Sequence, residues 1–202
     1  MLFEWSAECS ADDPVLVVPW SSGPSDPANA ARFVDLREDP YAIDEIPEAE
    51  SHPPLLNALR ALNGPRSPLF TAKCDVWSTE DETDLDPLRL EFDLPPEIAR
   101  VGLFSYIDLL WRDRSIFTSF HQHEHLVDRL ARRAEALDHP LAMLDCIIRP
   151  AFLDLSGPQQ GFAITLYVKA LGLDLASATA TWSSALESAV ALLRSRDLTP
   201  NT

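Results

Sequence analysis

Apolar and polar positions along the chain fall into two spacings, alternation by twos and recurrence every three or four residues. Phe3, Trp5, Ala7 and Cys9 alternate with Glu4, Ser6 and Glu8, which predicts a strand with one wet face and Cys9 turned to the core. Residues 15–20 are apolar on both faces and predict a buried strand, and the small, proline-interrupted residues 21–31 predict a loop. A short strand is expected at 33–37, followed by an acidic, proline-rich connection. Ser51 is placed to cap a helix with Pro53 and Pro54 in its first turn. Leu55, Leu56, Leu59 and Leu62 form its stripe, and Gly64-Pro65 supplies a left-handed cap and a stop.

Downstream, Ala72, Cys74 and Val76 share one face of a strand over 69–77, with Thr71, Lys73 and Asp75 on the other. A further strand is expected at 88–92. Residues 100–112 fit helical as well as strand spacing, but Val101, Gly102, Phe104, Tyr106 and Ile107 disfavour a helix. Ser115 then caps a long helix that ends near Leu137, before Asp138-His139-Pro140. Cys146, Ile148 and Phe152 line the next strand, where Pro150 implies an edge or a bulge. Residues 156–161 turn the chain into Phe162, Ile164, Leu166 and Val168, which alternate with Ala163, Thr165, Tyr167 and Lys169, as in a hairpin. Asp174 or Ser177 caps a last helix with Ala178, Trp182, Ala185, Ala189 and Leu193 on its apolar face.

Two stretches of this pattern echo each other. Phe33-Val34-Asp35-Leu36 and Tyr106-Ile107-Asp108-Leu109 each precede a helical pattern, and each is followed by Pro-Leu and a core-facing cysteine, Cys74 or Cys146. The second half has the order strand, helix, strand, strand, helix of a ferredoxin-like unit. The expected fold is therefore α+β, an antiparallel sheet with helices on one face. It forms one unit over 1–202 with sub-halves 1–97 and 98–202, two fused ferredoxin-like halves making an intrachain pseudo-dimer.

Composition narrows the function classes. With 202 residues and 46% hydrophobic content, the chain has enough apolar material for a continuous core. A formal charge of −16 opposes tracking of nucleic-acid phosphates or anionic membranes and favours a basic protein partner or a small-molecule ligand. The start of the sequence has no basic segment ahead of an apolar run, and no stretch is long and apolar enough to span a bilayer. Three cysteines without paired spacing fit a reducing compartment, so a cytoplasmic monomer or homodimer is expected.

The candidate chemistry is sparse. In the helix over 115–137, His121 and His125 share a stripe with Asp128, a set of donors able to hold a divalent metal, whereas His123 falls on the core stripe. Arg129 and Arg132 flank that stripe and favour a solvated ion-paired face instead. Asp35 and Asp108 are candidate acid-base groups if they share a crevice, and ion-pair partners of Arg37, Arg112 or Arg114 if they do not. Tyr106, Trp111, Tyr167 and Lys169 are candidates to line a ligand pocket on the sheet. Between Asp75 and Glu97, nine acidic residues face a single Arg89, and Glu80, Asp81, Glu82 and Asp84 would form a lip for a basic partner. No phosphate loop, nucleophile elbow or paired Cys-x-x-Cys is present. The expectation is a non-catalytic protein that binds a basic partner or a small ligand without a cofactor. The alternative is a metal-dependent enzyme using His121, His125 and Asp128.

Overall fold

The long apolar strands assemble into one mixed six-stranded sheet in an α+β fold, and the computed structural model describes residues 1–21 and 32–195. The strands are β1 (Leu2–Ala7), β2 (Leu16–Val18), β3 (Leu69–Thr79), β4 (Val101–Trp111), β5 (Ala142–Leu153) and β6 (Gln159–Gly172). Their order is β1-β5-β6-β4-β3, with β2 also pairing β5. The helices are α1 (Pro47–Ser51), α2 (Pro53–Asn63), α3 (Glu82–Glu91), α4 (Arg114–Phe117), α5 (Phe120–Ala134) and α6 (Leu175–Leu193), with a 3-10 segment at Pro40–Glu45. None of the described helices is long and apolar enough to cross a membrane.

The sheet is not wholly antiparallel as expected, because β1 and β2 run parallel to β5. Parallel pairs need long crossovers, and most of the chain lies between these partners. Register then assigns the faces. Leu103, Ser105, Ile107 and Leu109 of β4 sit beside Ala170, Val168, Leu166 and Ile164 of β6, which sit beside Ala142, Leu144, Cys146 and Ile148 of β5. All are buried, and this face carries α6. Trp182 of α6 is fully buried and its Nε1 donates to Ser105 Oγ at 2.9 Å, so the helix docks by one directional bond as well as by area. A Cβ on Gly172 would run into the Ala178 backbone and the Ser177 hydroxyl, so glycine lets the start of α6 approach the sheet.

Helices are not confined to that face. Leu85 and Leu88 of α3 form a second cluster with Phe104, Met143 and Leu171, whose positions alternate with the α6-facing ones. Arg89, 4% exposed, anchors α3 there: its Nε donates to Ala99 O at 2.7 Å, and its Nη1 pairs with Glu82 and with Asp86.

Several local expectations are corrected. Residues 33–37 turn, with Leu36 N donating to Val34 O and Arg37 N to the Asp35 carboxylate. Residues 88–92 finish α3, because Asp81 Oδ1 caps it from Thr83 N and Leu85 and Leu88 then recur at helical spacing. The expected helix over 115–137 is two: Asp113 caps α4 and Ser119 caps α5. His52, without a side-chain capping bond, stands at the start of α2 where Ser51 is expected, and Gly64 has φ −57°, not a left-handed value. Val15 and Val17 are exposed while Leu16 and Val18 are buried, as befits an edge strand with one wet face. Cys9 is exposed. The expected loop over 21–31 falls outside the described residues beyond Ser21.

Trp182→Ala is expected to destabilise the fold by about 3–5 kcal/mol. Trp182→Phe, which keeps most of the packing and orphans Ser105 Oγ, should cost about 1–3 kcal/mol. Urea unfolding of the two variants checks this; equal losses would remove the hydrogen bond from the account.

Candidate functional site

On the sheet face opposite α6, polar side chains from four strands meet under the chain that leads into β2. Asp108 of β4 lies opposite Thr165 of β6, and Tyr106 opposite Tyr167, which puts all four on one face. Arg149 of β5 joins them, as does Lys73 of β3, which stands at the register shift between Thr71 and Cys74. Such irregularities re-aim side chains. Pro14, Val15 and Leu16 complete a cleft of about 320 Å³.

Asp108 is its distinctive group. The residue is 5% exposed, and its Oδ1 accepts a bond from Thr165 Oγ1 at 2.5 Å. Oδ2 has no hydrogen-bond partner among the described residues. Burial pushes the carboxyl above its ordinary pKa, and the Thr165 bond and the charges of Arg149 and Lys73 pull it partly back. Burial, then the charges of Asp108 and Asp75, push the Tyr106 phenol to about 12, and burial raises Tyr167 likewise, so both remain protonated donors at neutral pH. Their ring centroids are 5.9 Å apart. Arg149 Nη2 meets Glu8 at 3.2 Å, and Lys73 Nζ lies 5.0 Å over the Trp20 ring.

The expected pocket residues are therefore partly gathered. Tyr106 and Tyr167 line the cleft; Lys169 stands beside it, 2.7 Å from Asp145 Oδ2 and 5.6 Å over the Tyr167 ring. Trp111 is buried, with its Nε1 unbonded among the described residues, and is not part of the lining. Asp35 does not share the crevice with Asp108. It sits in the turn before the 3-10 segment, bonded to Arg37 Nε at 2.8 Å and Nη2 at 2.6 Å, and the Arg37 guanidinium holds its carboxyl below the usual range. Lys73, Arg149 and Thr165 are cleft residues that sequence reasoning did not single out. Their signal was the polar side of strands whose apolar side was read for the core.

The histidines divide as the helical projection requires. His123 is fully buried, and its Nδ1 lies 2.9 Å from Ser119 O. Its Nε2 lacks a partner among the described residues, and burial lowers its pKa. His121 and His125 are exposed, with Nε2 atoms 2.8 Å apart. Asp128 shares their helix, but no group of three or more His, Cys, Asp or Glu side chains among the described residues is placed to hold a metal ion. In the acidic stretch, Asp81 caps α3, Asp84 accepts from Thr79 Oγ1 at 2.8 Å, Glu82 pairs with Arg89, and Glu80 precedes them on the strand-to-helix connection. Burial pushes the Cys74 thiol up to about 12 and raises Cys146 as well, away from nucleophilic use.

Comparison of the chain with protein-family models, with curated proteins and with solved structures finds no match.

Two pH dependences follow from the buried groups. Asp108 has a raised folded pKa, so stability is lost as pH rises through it. Asp108→Asn is therefore expected to be more stable than the parent at pH 7, with the difference closing as pH falls below the ordinary aspartate range. His123 has a lowered folded pKa, so the stability present above the ordinary imidazole value of 6.5 is lost as pH falls. His123→Leu should flatten that limb of the profile. Urea midpoints from about pH 3 to pH 8 measure both, and an unchanged profile in either variant would contradict the corresponding assignment.

Proposed function

We propose that the chain binds a small polar molecule in the cleft over Asp108 and carries out no reaction on it. The observation that supports this most is the buried carboxylate itself. One oxygen is held by Thr165 and the other has no partner among the described residues at the floor of an open cleft. That oxygen opens onto the cleft, so a ligand donor there would take the place of water. Around it stand two cations, Lys73 and Arg149, and two protonated phenols. The complementary ligand carries a hydroxyl or ammonium donor for Asp108 and an acid group for Lys73 and Arg149, as a small amino acid or hydroxy acid does. The Tyr106 and Tyr167 rings supply a flat apolar wall.

The architecture supports a related proposal. From β4 onward the chain runs β4, α5, β5, β6, α6, with β6 lying between β4 and β5, and β3 fills the outer place beside β4. We read this as one ferredoxin-like unit whose fourth strand comes from the first half of the sequence, in place of two fused units.

Calorimetry with a zwitterionic amino-acid series, matched to amines lacking the acid and acids lacking the amine, tests the binding reading. Zwitterions should bind more tightly than either control. Asp108→Asn should weaken binding by about tenfold or more, as loss of a charge-assisted bond does. Absence of binding across the series, or equal binding by the variant, would overturn it.

A further inference from the structure

The exposed face of α5 carries a second arrangement, which does not rest on the cleft. The geometry points to a divalent-metal chelate formed by Nε2 of His121 and Nε2 of His125, suited to an ion that takes donors at right angles, of the nickel or copper class. The two residues are one helical turn apart, their rings lie 4.1 Å apart between centroids, and their Nε2 atoms are hydrogen-bonded at 2.8 Å, so a bound metal takes the place of the shared proton, which is released to solvent. With metal–nitrogen bonds of about 2.0–2.1 Å, that separation gives a nitrogen–metal–nitrogen angle of about 85°. A tetrahedral ion would need the nitrogens about 3.3 Å apart. The pair therefore matches adjacent positions of a square-planar or octahedral ion, with water in the others.

Three further features favour it. His123, between the two, is fully buried, bonded to Ser119 O and 5.9 Å from the Phe162 ring, so α5 is fixed in rotation and both outer imidazoles are held on the solvent side. Glu124 Oε2 lies 3.5 Å from His121 Nδ1, behind the ring. A carboxylate there orients a ligating imidazole and raises its basicity. The chain's net charge of −16 also raises the local concentration of cations. Asp128, expected from the sequence as the third donor, is replaced in this account by Glu124 acting from behind His121.

Titration of the full chain, purified without a histidine tag, with Ni²⁺ in a non-chelating buffer tests this. One site is expected, weakened roughly tenfold or more by His121→Ala and by His125→Ala, with unchanged melting of the metal-free variants. Glu124→Gln should weaken it by about tenfold or less. His52→Ala, His139→Ala and Cys9→Ser should leave it unchanged. The proposal is overturned if the parent binds no Ni²⁺, if one-site binding survives in the His121→Ala/His125→Ala double variant, or if Zn²⁺ binds more tightly than Ni²⁺.

Discussion

The structure depends on β4 being buried on both faces while remaining paired on both edges. One face, through Leu103, Ser105, Ile107 and Leu109, belongs to the α6 side of the core. The other passes from Phe104, under α3, through Tyr106 to Asp108. A strand enclosed in this way leaves a carboxylate little water, so Asp108 stands at a cost that one Thr165 hydroxyl offsets only in part. A purely apolar residue there would serve packing better. That the costly group stands at the floor of a cleft, with two cations and two phenols around it, is the observation on which the proposed binding role rests.

The electrostatics of the cleft run against those of the whole molecule. A chain of net charge −16 repels small acids at long range, yet Lys73 and Arg149 make the cleft locally attractive to an acid group. Screening confines the global repulsion to within about 10 Å at ordinary salt, so under the proposed reading the local cations outweigh it at the cleft. Three acids of the 75–97 stretch have roles within α3: Asp81 as a cap, Glu82 and Asp86 as partners of Arg89. They fix the helix that closes the far end of the same sheet face.

Much of the fold was legible because alternation in β6 is clear, the β-forming residues of β4 disfavour a helix, and α6 is well capped by Asp174. The parallel pairing of β1 with β5 was not, since its partners are separated by most of the chain and alternation says nothing of direction. The 88–92 stretch reads as a strand because Leu88 alone of its two leucines faces a core, and Leu90 is exposed; α3 is held by the Arg89 anchor, a tertiary contact without a local signature. Of the site, Asp108, Tyr106 and Tyr167 could be named from the sequence, because large or charged groups on a central strand stand out. Lys73, Arg149 and Thr165 could not, for they enter through register and a bulge. The Asp35 echo failed because its segment turns and Arg37 takes its carboxylate.

The most direct test is to map where a bound small amino acid or hydroxy acid perturbs side-chain NMR signals. Shifts are expected at the Asp108 carboxyl, Thr165, Tyr106 and Tyr167, with the groove between α2 and α6 around Asn57 and Glu187 silent. Perturbations confined to that groove, or an Asp108 signal that does not move at saturation, would contradict it.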